Sequence, residues 1–194
     1  MESIVLASGS LRRQEYFRLL GLPFKIIPPL IDETNSTGAC AADFALKMAS
    51  KKVQNVVESF CGEAPPWIFA ADTVVSLEGK IFGKSFSREA AQETLKTLSG
   101  NEHEVKTACA LFNGRSGACD HRLATTKVTF AALSREDIEW YLDSGEWQGA
   151  AGSYRIQGLG SCLVLKIDGS YSNVVGLPLR EFYEMLKTNG YAYP

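Results

Sequence analysis

The sequence predicts an α/β fold, a mixed sheet flanked by helices, on three observations. Strand-sized apolar runs interleave with helical patterns along the 194 residues, as they do when helices pack on a sheet. One run, Trp67-Ile68-Phe69-Ala70-Ala71, is continuously apolar, the mark of a strand buried on both faces. The middle third carries two long alternating stretches, Val105 to Phe112 and Thr125 to Leu133, joined by a turn around Asn113 to Gly117. These long hairpins suggest a second lobe, so the expectation is one domain over 1–194, in two lobes sharing one sheet.

Taken in order, Ile4-Val5-Leu6 is a short apolar strand running into Ala7-Ser8-Gly9-Ser10. A helix follows from about Leu11 to Leu20, stopped by Gly21 and Pro23, and Phe24 to Ile27 is a second strand. Pro28-Pro29 breaks it into an acidic loop. From Ala41 to about Phe60, residues Phe44, Met48, Val53, Val56 and Val57 fall near one helical stripe. The buried run from Trp67 is expected to end at Asp72-Thr73, and Val74 to Lys84 to form a hairpin turning at Glu78-Gly79. Ser87 caps a helix through Leu98 that Gly100 closes. Ser134-Arg135-Glu136-Asp137 is a capping box opening a helix that ends near Gly145. Cys162 to Ile167 reads as a strand and Leu179 to Lys187 as a closing amphipathic helix.

Composition removes several classes of function. Hydrophobic residues make up 45% and charged residues 22%, and the net charge of −2 offers nucleic acid no basic field. No apolar run is long enough to cross a membrane, and Glu2 without a basic, apolar leader predicts no secretory signal. Five scattered cysteines, an odd set without Cys-x-x-Cys, suit reduced thiols and a cytoplasmic protein. Cys109, Cys119 and His121 match no usual zinc spacing.

What chemistry the chain carries must therefore be local. The turn Ser8-Gly9-Ser10 ahead of a helix N-terminus points backbone N–H groups at an anion, and Arg12 and Arg13 add charge that can grip phosphate. Read alone, the same stretch suits a capped surface helix with solvated arginines. Asp72, at the expected end of a buried strand, stands where α/β folds bind ligands, though an Asp so placed also serves turns. Asp32 and Glu33 form a second acidic pair whose bland reading is loop solvation. Together these carboxylates are hard oxygen donors, suited to Mg²⁺ or Mn²⁺ rather than zinc. Lys52, late on the long helix, and Lys84 could neutralise a triphosphate, although most lysines are simply solvated. Gly79 to Ser85 falls one residue short of a Walker A loop and is rejected, and Ser8 and Ser10 lack a nucleophile elbow. In Tyr154-Arg155-Ile156-Gln157-Gly158 the Gln amide could read a base edge or bond a loop.

In this order the blocks resemble the Maf family of nucleoside triphosphate pyrophosphatases. They are Leu6-Ala7-Ser8-Gly9-Ser10-x-Arg12-Arg13-Gln14, Asp32-Glu33, Met48-Ala49-x-x-Lys52, Ala71-Asp72-Thr73-Val74-Val75, Gly83-Lys84 and Leu98-Ser99-Gly100-x-x-His103-x-Val105-x-Thr107. Ala151-Gly152-Ser153-Tyr154-x-Ile156-Gln157-Gly158 and Tyr171 to Pro178 complete the set.

The resemblance implies hydrolysis of a nucleoside triphosphate between its α and β phosphates. The Ile-Gln-Gly block points to the branch favouring dTTP and UTP, in which Arg12, Thr73 and Gln157 set substrate choice and Asp72 accepts the proton. It implies an elongated, twisted mixed sheet in two lobes with a central cleft, similar to inosine triphosphatase, and a homodimer. On that basis Asp72, Glu33, Lys52 and Lys84 are the expected catalytic residues. Ser8, Ser10, Arg12, Arg13, Thr73 and Gln157 are expected to bind substrate, and Asp72 and Glu33 to hold Mg²⁺ or Mn²⁺. Leu11 and Ser85 stand where that family usually has proline, and Gln148-Gly149-Ala150 where many members carry an Asp-Lys pair. Two competing accounts are a nucleotide-binding regulator of cell division with little catalysis and a P-loop NTPase releasing orthophosphate.

Overall fold

The structure, a computed structural model, describes residues 1–33, 38–62 and 64–192. Among them the elements run β1 (Ile4–Leu6), α1 (Leu11–Leu19), β2 (Phe24–Ile26), α2 (Ala41–Glu58), β3 (Trp67–Leu77), β4 (Lys80–Phe82) and α3 (Arg88–Leu98). Then come β5 (Glu102–Asn113), β6 (Ala118–Phe130), α4 (Arg135–Asp143), β7 (Val164–Asp168), α5 (Tyr171–Val175) and α6 (Leu179–Thr188). The strands form one sheet ordered β2-β1-β3-β5-β6-β7, with β4 paired to β3. Strand β1 is parallel to β2 and β3, whereas β4 and β7 run antiparallel to β3 and β6. The expected mixed α/β class is the class observed.

The chain divides into two compact units. The first comprises Met1–Asp72, Thr107–Ala124 and Gly176–Pro194, the second Thr73–Lys106 and Thr125–Val175. In the first unit, Ile4 and Leu6 of β1, Trp67, Phe69 and Ala71 of β3, and Cys109 and Leu111 of β5 share a core with Phe17 of α1 and Phe182, Met185 and Leu186 of α6. The Phe17 ring lies 5.4 Å from Phe24, 5.7 Å from Phe69 and 5.2 Å from Phe182. The alternate residues Val5, Ile68 and Ala70 are buried as well, which is why the run is apolar throughout. Each large side chain so buried contributes about 1.5–3 kcal/mol.

In the second unit the β3–β4 hairpin turns at Glu78 (φ 50°) and Gly79 (φ 82°). Both are left-handed, as a tight two-residue hairpin turn demands. The Ser87 hydroxyl caps α3 by accepting from the Ala90 N–H at 3.2 Å. Ser134 and Asp137 exchange bonds of 3.1 and 2.8 Å to close the box that opens α4. The interior centres on His103, Phe130 and Tyr154, whose rings meet edge to face at 4.8–5.5 Å.

Two expected strand boundaries need correction, and one helix was not foreseen. Strand β3 does not stop at Asp72 but continues to Leu77, because Thr73, Val74 and Val75 are β-branched and extend the pleat. Strand β7 starts at Val164 rather than Cys162, since Leu159–Leu163 winds into a 3-10 turn directly after Gly158. The short helix α5 carries no amphipathic signal in five residues. It is started instead by the Ser170 hydroxyl accepting from the Asn173 N–H at 3.3 Å.

Candidate active site

The site in the first unit grows out of the end of β1. The Ala7 N–H donates to the Phe69 carbonyl at 2.8 Å, carrying the β1–β3 pairing one residue further. The chain then turns, with the Ser10 N–H bonded to the Ser8 hydroxyl oxygen at 3.2 Å. Helix α1 begins at Leu11 with no side-chain cap from Ser10, and the positive end of its dipole suits an anion. Leu11 is 70% exposed, and a proline there would only pre-set the helix's first φ.

Arg13 is not a solvated arginine. It is 8% exposed, its Nε donates to the Gly176 carbonyl at 2.8 Å, and a terminal nitrogen donates to the Ser8 hydroxyl at 3.1 Å. Burial pulls the guanidinium below its usual range, and the charges of Asp72 and Glu33 partly offset that pull. A charge held in the interior must be paired and hydrogen-bonded to persist.

The anions that act on Arg13 are Asp72 of β3 and Glu33, between β2 and α2, and both meet Lys52 of α2. The Lys52 ammonium lies 2.6 Å from the Asp72 Oδ1 and 2.7 Å from the Glu33 Oε1. Lys52 and Asp72 are buried, at 6% and 7% exposure. Asp72 sits inside a continuous strand rather than past its end, a place that depletes aspartate unless a partner holds it. Arg13, Ser8, Lys52, Asp72 and Glu33 thus combine two cations, two anions and a hydroxyl around one part of the first unit. Ser10 and Arg12, both half-buried, and the exposed Asp32 belong to this unit too.

Thr73, Lys84 and Gln157 belong to the second unit. Thr73 is half-buried and the other two are exposed. Lys84 forms an isolated antiparallel bridge with Ala151, so the Gly79–Ser85 stretch is hairpin and bridge, not a phosphate-wrapping loop.

Asp72 and Glu33 suit Mg²⁺ or Mn²⁺ as donors. Both are carboxylates already gathered on one ammonium, and Mg²⁺ is commonly held by one or two carboxylates with substrate phosphates filling the rest. No three His, Cys, Asp or Glu gather as a metal cage among the described residues. No described helix is long and apolar enough to cross a membrane.

The model of the family described as Maf-like protein matches residues 3–189. The chain belongs to the Maf-like family. Family relatives include a dTTP/UTP pyrophosphatase of Methylobacillus flagellatus, 44% identical over 197 residues, covering 100% of this chain and 96% of that one. One from Symbiobacterium thermophilum is 39% identical over 191 residues, covering 98% and 96%. One from Salmonella typhimurium is 43% identical over 187 residues, covering 96% and 92%. A solved dITP/XTP pyrophosphatase of Mycobacterium abscessus aligns over 96% of this chain and 97% of that one, with TM-score 0.49 and 17% identity.

The structure adds a residue that the sequence did not single out. Gly176, in the Tyr171 to Pro178 block, holds the Arg13 Nε through its carbonyl. A backbone acceptor leaves no side-chain signal, so only coordinates could find it.

Proposed function

We propose that this chain hydrolyses nucleoside triphosphates, dTTP and UTP among them, between the α and β phosphates, releasing the monophosphate and pyrophosphate in a house-cleaning role. The observation that carries the reading is the buried Lys52 bridging Asp72 and Glu33. The names of the 39–44% identical relatives support the substrate class.

In this reading Asp72 accepts the proton of the attacking water at Oδ2, while Oδ1 stays on the Lys52 ammonium. Lys52 holds that carboxylate in one rotamer and offsets charge on the phosphates. Arg13, Ser8, Ser10, Arg12 and the open end of α1 bind the phosphate chain through fixed donors. Asp72 and Glu33 would hold the divalent ion, which supplies Lewis-acid neutralisation of phosphate charge. Thr73, Lys84 and Gln157 keep the substrate contacts that their motif positions imply, Lys84 toward phosphate and Thr73 and Gln157 toward the choice of base. We place the protein in the cytoplasm as a homodimer, on its cysteine usage and the resemblance; light scattering of the purified chain tests the dimer.

The test is release of pyrophosphate against orthophosphate from dTTP, UTP, CTP and GTP, with Mg²⁺ and after chelation. Pyrophosphate is expected, lost on chelation and restored by Mg²⁺. Asp72→Asn should lower kcat about 10²–10³-fold, the worth of one transition-state contact, measured well below the lowered melting point that loss of the buried Lys52–Asp72 pair brings. Orthophosphate as product, no turnover at all, or an Asn variant with near wild-type kcat would each sink the reading.

A further inference from the structure

In the second unit, two chain segments that sequence reasoning treated separately are fastened together. The Gly152 N–H donates to the Phe82 and Gly83 carbonyls at 3.2 and 3.1 Å, and Lys84 bridges Ala151. The Ser85 and Ser153 hydroxyls lie 2.6 Å apart. Ser153 is fully buried and has a left-handed φ of 58°, a conformation that L-residues keep only where the surroundings over-determine it. Beyond it, the Tyr154 hydroxyl meets the His103 Nε2 at 2.9 Å and the Arg155 N–H donates to the Tyr141 hydroxyl at 3.0 Å.

Every residue from Ala151 to Arg155 is therefore anchored, and the exposed Gln157 follows two residues later. The Ser85–Ser153 bond is a side-chain tie between this loop and the segment carrying Lys84. A proline at 85 could not make it, having no hydroxyl.

We propose that the Ser85–Ser153 hydroxyl pair is a latch that fixes Lys84 and the Gln157 loop as one block, making both serines positioning residues for nucleotide binding. The proposal rests on the reading of Lys84 and Gln157 as substrate contacts. Neither serine touches the reacting atoms. Their loss changes where a cation and an amide are held, and hence affinity and base choice, with little effect on the chemical step.

The test uses Ser85→Ala, Ser153→Ala, the double variant and Ser85→Thr in the full chain, with two readouts. Hydrogen exchange of peptides over 150–158 should quicken about two- to tenfold in each Ala variant, the range of one neutral hydrogen bond. The double variant should exchange no faster than the singles, and peptides over α3 should not change. In pyrophosphate release, KM for dTTP should rise by the same about two- to tenfold. The preference for dTTP over CTP should narrow, kcat should hold within about twofold, and Ser85→Thr should recover both. Unchanged exchange overturns the latch whether or not the protein turns over. A loosened loop with unchanged KM and base preference overturns the positioning role. A wild-type chain that releases no pyrophosphate overturns the proposed function and the nucleotide role of the latch together. That failure is told apart from the others because exchange still responds.

Discussion

Lys52→Met isolates the electrostatic centre of the site, because methionine nearly keeps the length of the side chain and removes its charge. The Lys52 side chain is 7% exposed, that of Asp72 10% and that of Glu33 38%. Without the ammonium, Asp72 loses its direct ion pair in a nearly dry place and keeps only the charge of Arg13 as compensation, with the Glu33 carboxylate left unpaired from Lys52 as well. Breaking a buried pair by removing one member costs about 3–5 kcal/mol. Glu33 keeps access to water, so its share is small, as for surface ions, and the expected loss lies near the lower end, about 3 kcal/mol. For a chain of this size about 1 kcal/mol moves Tm by about 2–4 °C, so the variant should melt about 6–12 °C below wild type.

The assay is thermal and urea unfolding at neutral pH, followed by circular dichroism. Two further variants make the reasoning testable in detail. Adding Asp72→Asn to Lys52→Met removes the stranded charge and should recover most of the loss, an interaction energy within the about 0.5–3 kcal/mol found for contacting residues. Glu33→Gln alone should cost about 1 kcal/mol or less. If Lys52→Met melts within about 2 °C of wild type, or the double variant is simply additive, then Lys52 does not hold Asp72 in solution.

Two other outcomes follow from the second unit. Burial lowers the His103 imidazole from 6.5 to about 4, so the unfolded chain takes up a proton that the folded chain refuses. Stability from this group is therefore complete above about pH 6.5 and falls as the pH drops toward 4, by up to about 3 kcal/mol at about 1.4 kcal/mol per tenfold. In urea titrations across that window, His103→Gln, whose amide can still meet Tyr154 but does not titrate, should flatten the dependence; an unchanged slope would refute the assignment. Gly152→Ala should be costly, because φ is 66° and a Cβ there would lie 2.8 Å from a Val75 methyl. Left-handed strain of about 1–2 kcal/mol and overpacking of about 1–3 kcal/mol predict a clear drop in the urea midpoint, and a drop under about 1 kcal/mol would count against the packing.

Local sequence chemistry was a good guide where one rule decided the outcome. The Glu78-Gly79 turn, the Ser87 cap and the Ser134–Asp137 box each depend on a few adjacent residues, and each forms as the local chemistry dictates. Boundaries failed where tertiary pairing won. Strand β3 runs through an aspartate because β-branched residues follow it and Lys52 neutralises it. The turn at Leu159–Leu163 takes residues that read as the start of β7. At the site, the blocks named the participating residues but not their bonds: Arg13 on Gly176, or one lysine on two carboxylates, links positions far apart in sequence.

One of those bonds nevertheless had a signal in the sequence. Phe44, Met48, Lys52 and Val56 recur every fourth residue on α2, and all four are buried. Positions spaced that way stack on one helix face, so a lysine among three apolar neighbours is placed against the helix's own pattern. Solvation, the ordinary fate of lysine, is closed to it there, and it must meet an anion in the interior. Asp72 breaks the pattern of β3 in the opposite sense, a carboxylate amid buried apolar residues. Two violations of opposite charge on adjacent layers of an α/β fold satisfy each other, and that is cheaper than either alone. Sequences keep such violations mainly where function requires them. The buried pair is thus weak evidence for stability, since an apolar pair of similar volume would serve as well, and its retention is what the role proposed for Asp72 and Lys52 requires.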